Sequence, residues 1–288
     1  MNKILRLNII GAGKLGQTLG RLFQAHHSFQ VTAVCNNSLQ SSRQAVAFIG
    51  SGVACANLED LPEAEVYLLA VPDQRIASLA AQLARIPTVS TARLAFHCSG
   101  ALSSAELAPL QARGIAVASV HPCLTFATPL ADLTALKGLF CAFEGEEIGY
   151  GILQPAMAAL GAHLFKLSSQ QKILYHAASA VACNYLVTVL DMALHLYQEA
   201  GLNTETAVHV IRPLVMQTIQ NVLTLQPVSA LTGPIARGDV ATIQKHLQAI
   251  PDAASQHLYK TLGLATLNLA IQKQTLSAAT VQEIKNLF

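Results

Sequence analysis

The chain has 288 residues, with 18 lysines and arginines against 16 aspartates and glutamates, a formal charge of +2. That length fits about two domains at roughly 150 residues each, and so small a positive excess excludes a nucleic-acid binder working through a broad basic surface, which needs many cations against phosphate. Charged residues are 12% and apolar residues 52%, against about 25% charge in ordinary soluble domains, so the chain is too apolar for disorder and points to further surface hidden in an oligomer.

An apolar run at residues 4–10 predicts a strand that enters a glycine loop, followed by a helix over 14–25. Residues 30–34 form a second β-branched run, and 41–49 a helix with Ser41 or Ser42 at its N-cap. Residues 66–71 are apolar throughout, as expected of a strand covered on both faces. Pro72 and Asp73 end it, and 76–83 is helical. A strand at 94–97 stops at Ser99-Gly100, a helix covers 103–112, and a strand at 115–120 ends at His121-Pro122. Strands at 139–143 and 163–167 flank a helix around 152–160. This alternation is the pattern of a doubly wound parallel sheet.

After residue 168 strand signals stop. Helices are predicted over 170–199, 204–225, 240–250, 253–272 and 278–287, with breaks at Gly201, Pro227, Gly233-Pro234 and Pro251. The expected architecture is an α/β Rossmann domain, 1–168, followed by an all-α domain, 169–288. The longest apolar stretch, 176–196, contains His176, Asn184, Asp191 and His195, which argues for a helix buried in protein and against a membrane span. No signal peptide is expected, because the first apolar run enters the glycine loop without a cleavage site. Six scattered cysteines without a CxxC pair read as reduced thiols of a cytoplasmic protein, and no spacing joins them to the ten histidines as a metal site.

Gly11-Ala12-Gly13-Lys14-Leu15-Gly16 is a GxGxxG loop between the first strand and the first helix. Gly11 permits the tight turn, Gly13 lets backbone approach a pyrophosphate, and Gly16 lets helix pack on strand. Unpaired amides and the helix dipole favour the anion. An NAD site usually places an acid after the second strand. Here that segment is Cys35-Asn36-Asn37-Ser38, with no carboxylate before Glu59. Asn36 and Ser38 are expected to donate to a 2′-phosphate, with Arg43 and Lys14 as nearby cations, so NADP is the expected cofactor.

Ligands of open α/β sheets sit beyond the carboxyl ends of the strands. Three strand ends carry polar groups there: Val71-Pro72-Asp73, His97-Cys98-Ser99-Gly100 and Val120-His121-Pro122. Ser99 is expected to hold substrate or to cap a helix; His97 and His121 are either proton donors or hydrogen-bonded structural imidazoles. In the helical half, Lys172 and His176 are four residues apart and share a face that Tyr175 borders, with Asn184 two turns on. Polar groups in so apolar a helix need partners, and a buried lysine or histidine has a movable pKa suited to proton transfer. In the segment 231–239, Gly238 and Asp239 suggest a turn and N-cap, and Arg237 a clamp for an anionic substrate.

These motifs together (the glycine loop, Ala-Val-Pro-Asp at 70–73, His97-Cys98-Ser99-Gly100, Ser119 to Pro122 with Phe126, Tyr175-His176-Ala177-Ala178 with Asn184, and 231–239) resemble a bacterial Rossmann-like family with an all-helical C-terminal domain, labelled as NADP oxidoreductases. The wider fold is similar to pyrroline-carboxylate reductases, deazaflavin-dependent NADP reductases and β-hydroxyacid dehydrogenases, a 6-phosphogluconate-dehydrogenase-like arrangement. The resemblance implies a long helix after the Rossmann domain that builds a homodimer and faces the nicotinamide. β-Hydroxyacid dehydrogenases place an asparagine four residues after a lysine. Lys172 matches the lysine, His176 stands in the asparagine's place, and Ser99 matches their substrate-loop serine. That departure makes His176 an acid/base candidate.

The expected function is an NADP-dependent oxidoreductase passing hydride to or from a small carbonyl or imine substrate. Lys172, His176 and His97 are its catalytic candidates, and Ser99, His121, Asn184 and Arg237 its substrate-binding candidates. Gly11, Ala12, Gly13, Lys14, Leu15, Gly16, Asn36, Asn37, Ser38, Arg43, Val71 and Pro72 are the cofactor-binding candidates. The expected partners are a small-molecule substrate and a second copy, with no nucleic acid, membrane or metal. The alternative is a non-catalytic NADP-binding regulatory or scaffold protein, which would need no proton donor beside the ring.

Overall fold

A computed structural model describes residues 4–288. Its first elements are β1 (Arg6–Ile10), α1 (Lys14–Ala25), β2 (Gln30–Cys35), α2 (Leu39–Ile49), β3 (Val53–Cys55), β4 (Val66–Leu69) and α3 (Asp73–Leu83). There follow β5 (Leu94–His97), α4 (Ala108–Gln111), β6 (Ala116–Pro122), β7 (Phe140–Gly145), α5 (Glu147–Ala159), β8 (His163–Lys166) and α6 (Ser169–Ala180). The strands form one sheet in the order β3-β2-β1-β4-β5-β6-β7-β8. The order reverses between β1 and β4, which makes the crevice beyond their carboxyl ends the natural ligand position.

Side-chain alternation along the strands divides the core in two. Val66 and Leu68 of β4 join one cluster, Tyr67 and Leu69 the other. The first takes in Leu22 and Phe23 of α1 with Leu153 and Met157 of α5; the second takes in Ile76 and Leu83 of α3 with Leu110 of α4. Each large apolar side chain so buried contributes roughly 1.5–3 kcal/mol, and burial on both faces explains why these strands are apolar without interruption.

Four local expectations are corrected. β3 was not predicted, because three residues with an exposed Val53 carry no pattern. The helix expected over 103–112 starts as a 3-10 turn, Ser104–Leu107, and only then becomes α4. α5 begins at Glu147, five residues before the predicted start, and continues past Pro155. The sheet is parallel except between β6 and β7, which pair antiparallel. A parallel return needs a crossover, usually helical, and residues 123–139 contain no helix.

The chain forms two compact units, Met1–Ala182 and Cys183–Phe288. α6, counted with the helical half in the expectation above, belongs to the first unit, where its Lys172 is bonded to the loop after β5 and to β6. The second unit contains α7 (Leu186–Glu199), α8 (Thr204–Leu225), α9 (Pro227–Ala230), α10 (Pro234–Arg237), α11 (Val240–Ala249), α12 (Ala253–Gln272) and α13 (Ala278–Leu287). Its core is Ile235, Ile243, Leu267, Ala270 and Ile284. Asn203, Asp239, Asp252 and Ser277 cap α8, α11, α12 and α13 by accepting a backbone N–H, each worth about 1 kcal/mol.

Helix runs without interruption from Ser169 to Glu199, through one π turn at Val181–Tyr185. By length and composition alone it is long and apolar enough to cross a membrane, and none of its apolar window is buried. The expectation of a helix buried in protein over 176–196 is therefore corrected for the single chain: Tyr185 is 63% and Val187 64% exposed.

Candidate functional site

The chain leaves β1 through Gly11 at φ +81°, where a Cβ would land on Val71 Cγ1 and lie 3.0 Å from the Ala70 carbonyl oxygen. A Cβ on Gly16 would lie 3.0 Å from both Ala70 Cβ and the Gly11 carbonyl oxygen, so its absence lets α1 approach β4 closely. Gly13 differs: nothing stands within 4 Å of its Cβ position. Two glycines of the loop therefore serve the fold, and Gly13 opens onto free space. No side chain caps α1, which leaves first-turn amides and the positive end of the helix dipole available to an anion.

A cavity of about 510 Å³ adjoins the loop, lined by Gly11, Ala12 and Gly13, by Asn36, Asn37, Ser41 and Gln44, and by Val71, Pro72 and Arg75 among others. The expected donors to a 2′-phosphate are corrected. The Asn36 side chain accepts from the Ala12 N–H at 2.6 Å and donates to the Ser41 carbonyl at 3.0 Å. Ser38 caps α2, accepting from the Ser41 N–H at 3.2 Å. Both brace the loop because a polar strand end must satisfy its own backbone first. Lys14 and Arg43 are exposed and do not line this cavity; Arg75 of α3 does. Leu15 packs on the core.

The second constellation stands after β5 and β6, within the same unit. His97 is buried with both ring nitrogens engaged: Nδ1 accepts from the Ser99 N–H at 3.1 Å, and Nε2 lies 3.0 Å from the Ser103 carbonyl, which fixes the proton on Nε2. Burial lowers its pKa. Its proposed acid/base role is thereby corrected: His97 is a neutral imidazole that shapes the loop. The Ser99 hydroxyl donates to Asp73 Oδ2 at 2.8 Å and accepts from the Ala101 and Leu102 N–H groups. Loop 99–102 is thus tied to the start of α3.

Lys172 is completely buried, and its Nζ donates to the Ser99 carbonyl at 2.9 Å and to Ser119 Oγ at 2.7 Å. Desolvation lowers its pKa, while the buried Glu144 carboxylate opposes that shift. Glu144 accepts from Ser104 Oγ, the Ser104 N–H and Ser169 Oγ, linking the loop after β5 to the first turn of α6. Glu144 was missed in sequence, and Ser119 was named only within a motif, not as a site residue. Their signal was present, since a polar residue inside an apolar strand needs a buried partner.

His121 and Tyr175 share a hydrogen bond of 3.0 Å between Nδ1 and Oη, and the His121 and His176 rings meet edge to face with centroids 5.8 Å apart. The two imidazoles flank Gly100, where a Cβ would land on His176 Nδ1 and lie 2.9 Å from His121 Nε2. Burial first, then the neighbouring His176 and Lys172, push the His121 pKa down to about 4. Burial raises the Tyr175 phenol, which stays protonated. His176 itself is exposed. This grouping can hold a neutral donor beside an uncapped glycine, as protonating a heteroatom requires. Asn184, on the π turn, and Arg237, at the end of α10, belong to the second unit, and both are exposed. Arg237 lines a cavity there with Lys273.

Residues 2–122 match the family described as a Rossmann-like domain, and residues 139–266 match a domain of unknown function, DUF2520. The chain therefore joins a Rossmann-like domain to a DUF2520 domain. No curated protein matches the sequence. Among solved structures, the chain is similar to a protein of Bacteroides fragilis described as a "putative NADP oxidoreductase", with 22% identity, a TM-score of 0.76, and 92% of this chain and 98% of that one covered. It is also similar to an imine reductase from Myxococcus stipitatus in complex with NADP+, with 17% identity, a TM-score of 0.63, and 97% and 99% covered. A pyrroline-5-carboxylate reductase from Coxiella burnetii shows 16% identity, a TM-score of 0.59, and 99% of both chains covered. These are likenesses of fold.

Proposed function

We propose that the protein is an NADP-dependent oxidoreductase that moves a hydride between the nicotinamide and a small carbonyl or imine compound. One observation carries this reading. An open glycine loop after β1 and a titratable cluster after β5 and β6 stand at the carboxyl ends of parallel strands in one sheet. The first-turn amides of α1, reached across Gly13, would hold the diphosphate, with Val71 and Pro72 beside it. The bound cofactor supplies or takes the hydride. Similarity to an imine reductase, a pyrroline-5-carboxylate reductase and a described NADP oxidoreductase supports the reaction class.

The chain's own residues supply the proton. In the reductive direction the substrate carbon gains a hydride and its oxygen or nitrogen gains one proton, giving an alcohol or amine. Tyr175, kept protonated by burial, shares a hydrogen bond with His121 Nδ1, and His121 Nε2 faces the space over Gly100; with Tyr175 as the donor in that bond, Nε2 carries an N–H towards that space. His176 borders that space and is the exposed proton donor. Lys172 is bonded on the buried side of loop 99–102 and acts as a positioning residue. The test is NADPH consumption across a panel of small carbonyl and imine compounds. Turnover of any of them with NADPH preferred over NADH supports the reading. NADPH binding without turnover of any leaves the scaffold alternative standing instead.

A second copy completes the assembly in this proposal. The run from Ser169 to Glu199 exposes Leu174, Tyr185 and Val187, and α8 exposes Leu214, Met216 and Leu223. His176, Asn184 and Asp191 on the same run are costly in hydrocarbon, and α6 is already pinned to protein through Lys172. Sedimentation should report a dimer, and Leu223→Glu, on a residue 73% exposed, should give a folded monomer. A monomeric wild-type protein would overturn this part. With all six cysteines free, the proposed setting is the reducing cytoplasm.

A further inference from the structure

We propose that Arg75, on α3, is the residue that reads the 2′-phosphate of NADP(H), in place of the polar segment after β2. The inference rests on the dinucleotide reading above and assigns its specificity to one side chain. Among the described residues, Arg75 is the only lysine or arginine lining the cavity of about 510 Å³ beside the glycine loop. Its guanidinium makes no hydrogen bond or ion pair among the described residues, and the residue is exposed. The donors that sequence pattern suggests are already engaged: Asn36 is bonded to Ala12 and Ser41, and Ser38 to Ser41. Arg43 does not line the cavity, and neither does Lys14.

Charge separates the two ends of this region. A neighbouring cavity of about 230 Å³ shares Gly11, Asn36, Asn37, Val71 and Leu79 with the first, and its described lining includes Glu59 and no cation. A carboxylate there repels a phosphate and suits the hydrogen-bond donors of an adenine amine or a ribose hydroxyl. The phosphate therefore belongs on the Arg75 side, where Ser41 and Gln44 add polar groups. A guanidinium fork fits a terminal phosphate through two parallel hydrogen bonds, which makes arginine the suited cation. NAD(H), which lacks the phosphate, has nothing for that fork to grip.

Calorimetric titration of NADP+ and NAD+ into wild type, Arg75→Met and Arg43→Met tests the assignment. Arg75→Met should weaken NADP+ binding about tenfold or more, leave NAD+ binding within about twofold, and keep the wild-type melting temperature without ligand. Arg43→Met should change neither affinity. An equal loss for both nucleotides with Arg75→Met, or a selective NADP+ loss with Arg43→Met alone, overturns the assignment while leaving the dinucleotide reading intact. Wild-type protein that binds neither nucleotide overturns that reading, and the assignment with it.

Discussion

Tyr175 Oη and His121 Nδ1 lie 3.0 Å apart, joining the first helix after the sheet to the end of β6. The fold turns His121 Nε2 towards Gly100, and the partner on Nδ1 sets which ring nitrogen carries the hydrogen, since a phenol can donate or accept. Removing the hydroxyl frees the ring to adopt the other tautomer. Tyr175→Phe should lower turnover by about 10²-fold with dinucleotide affinity unchanged, measured by steady-state kinetics beside a binding titration. His176→Leu should do the same, since His176 is exposed and holds no other element in place. Unchanged turnover in both variants would remove this cluster from the chemistry.

Lys172 should behave differently. Its ammonium donates to the Ser99 carbonyl and Ser119 Oγ inside the protein, so Lys172→Met removes two buried hydrogen bonds and leaves the Ser99 carbonyl only the Ser119 hydroxyl as partner. Each such loss costs about 1–3 kcal/mol, and the melting temperature should drop along with turnover. Denaturant unfolding checks this. A variant as stable as wild type would show that the lysine is not a structural tether.

The glycine loop separates steric roles within one motif. Gly13→Val should fold normally, because nothing lies within 4 Å of its Cβ position, yet it should abolish the melting-temperature rise that NADPH gives by binding the native state. Gly11→Ala should destabilise the apoprotein, because its φ of +81° and the contact with Val71 leave no room for a side chain. Thermal scans with and without NADPH distinguish the two. An NADPH shift that survives in Gly13→Val would place the diphosphate elsewhere.

Acid should weaken the fold through buried imidazoles. His121 titrates at about 4 in the folded chain against an ordinary 6.5, and the shift of His97 runs the same way. Between those pH values the unfolded chain binds more protons than the folded one, so stability falls as pH drops from about 6.5 towards 4. The contribution is intact above pH 6.5. His121→Phe should flatten part of that fall in melting temperature. A profile parallel to wild type would show that His121 is not held neutral.

The sequence determined the class of fold, because its signals are local. An apolar run ending in GxGxxG, the alternation of strand and helix, and the helical periodicity after residue 168 each follow from backbone geometry and burial over a few neighbouring residues. It also marked Lys172 and His176 as polar groups in an apolar helix that need partners, and His121 as a polar group at a strand end. Tertiary structure decided who those partners are. His97 and His121 look alike in sequence, both at strand ends, yet one spends both nitrogens on backbone while the other meets Tyr175 from a helix more than fifty residues away. Asn36 and Arg43 likewise follow the second strand in the expected place, but the fold turns one into a brace, leaves the other outside the cavity, and brings Arg75 in from α3. Hydrogen bonds act over about 3 Å, and which groups come that close is fixed by how the strands are ordered in the sheet, which no local pattern encodes.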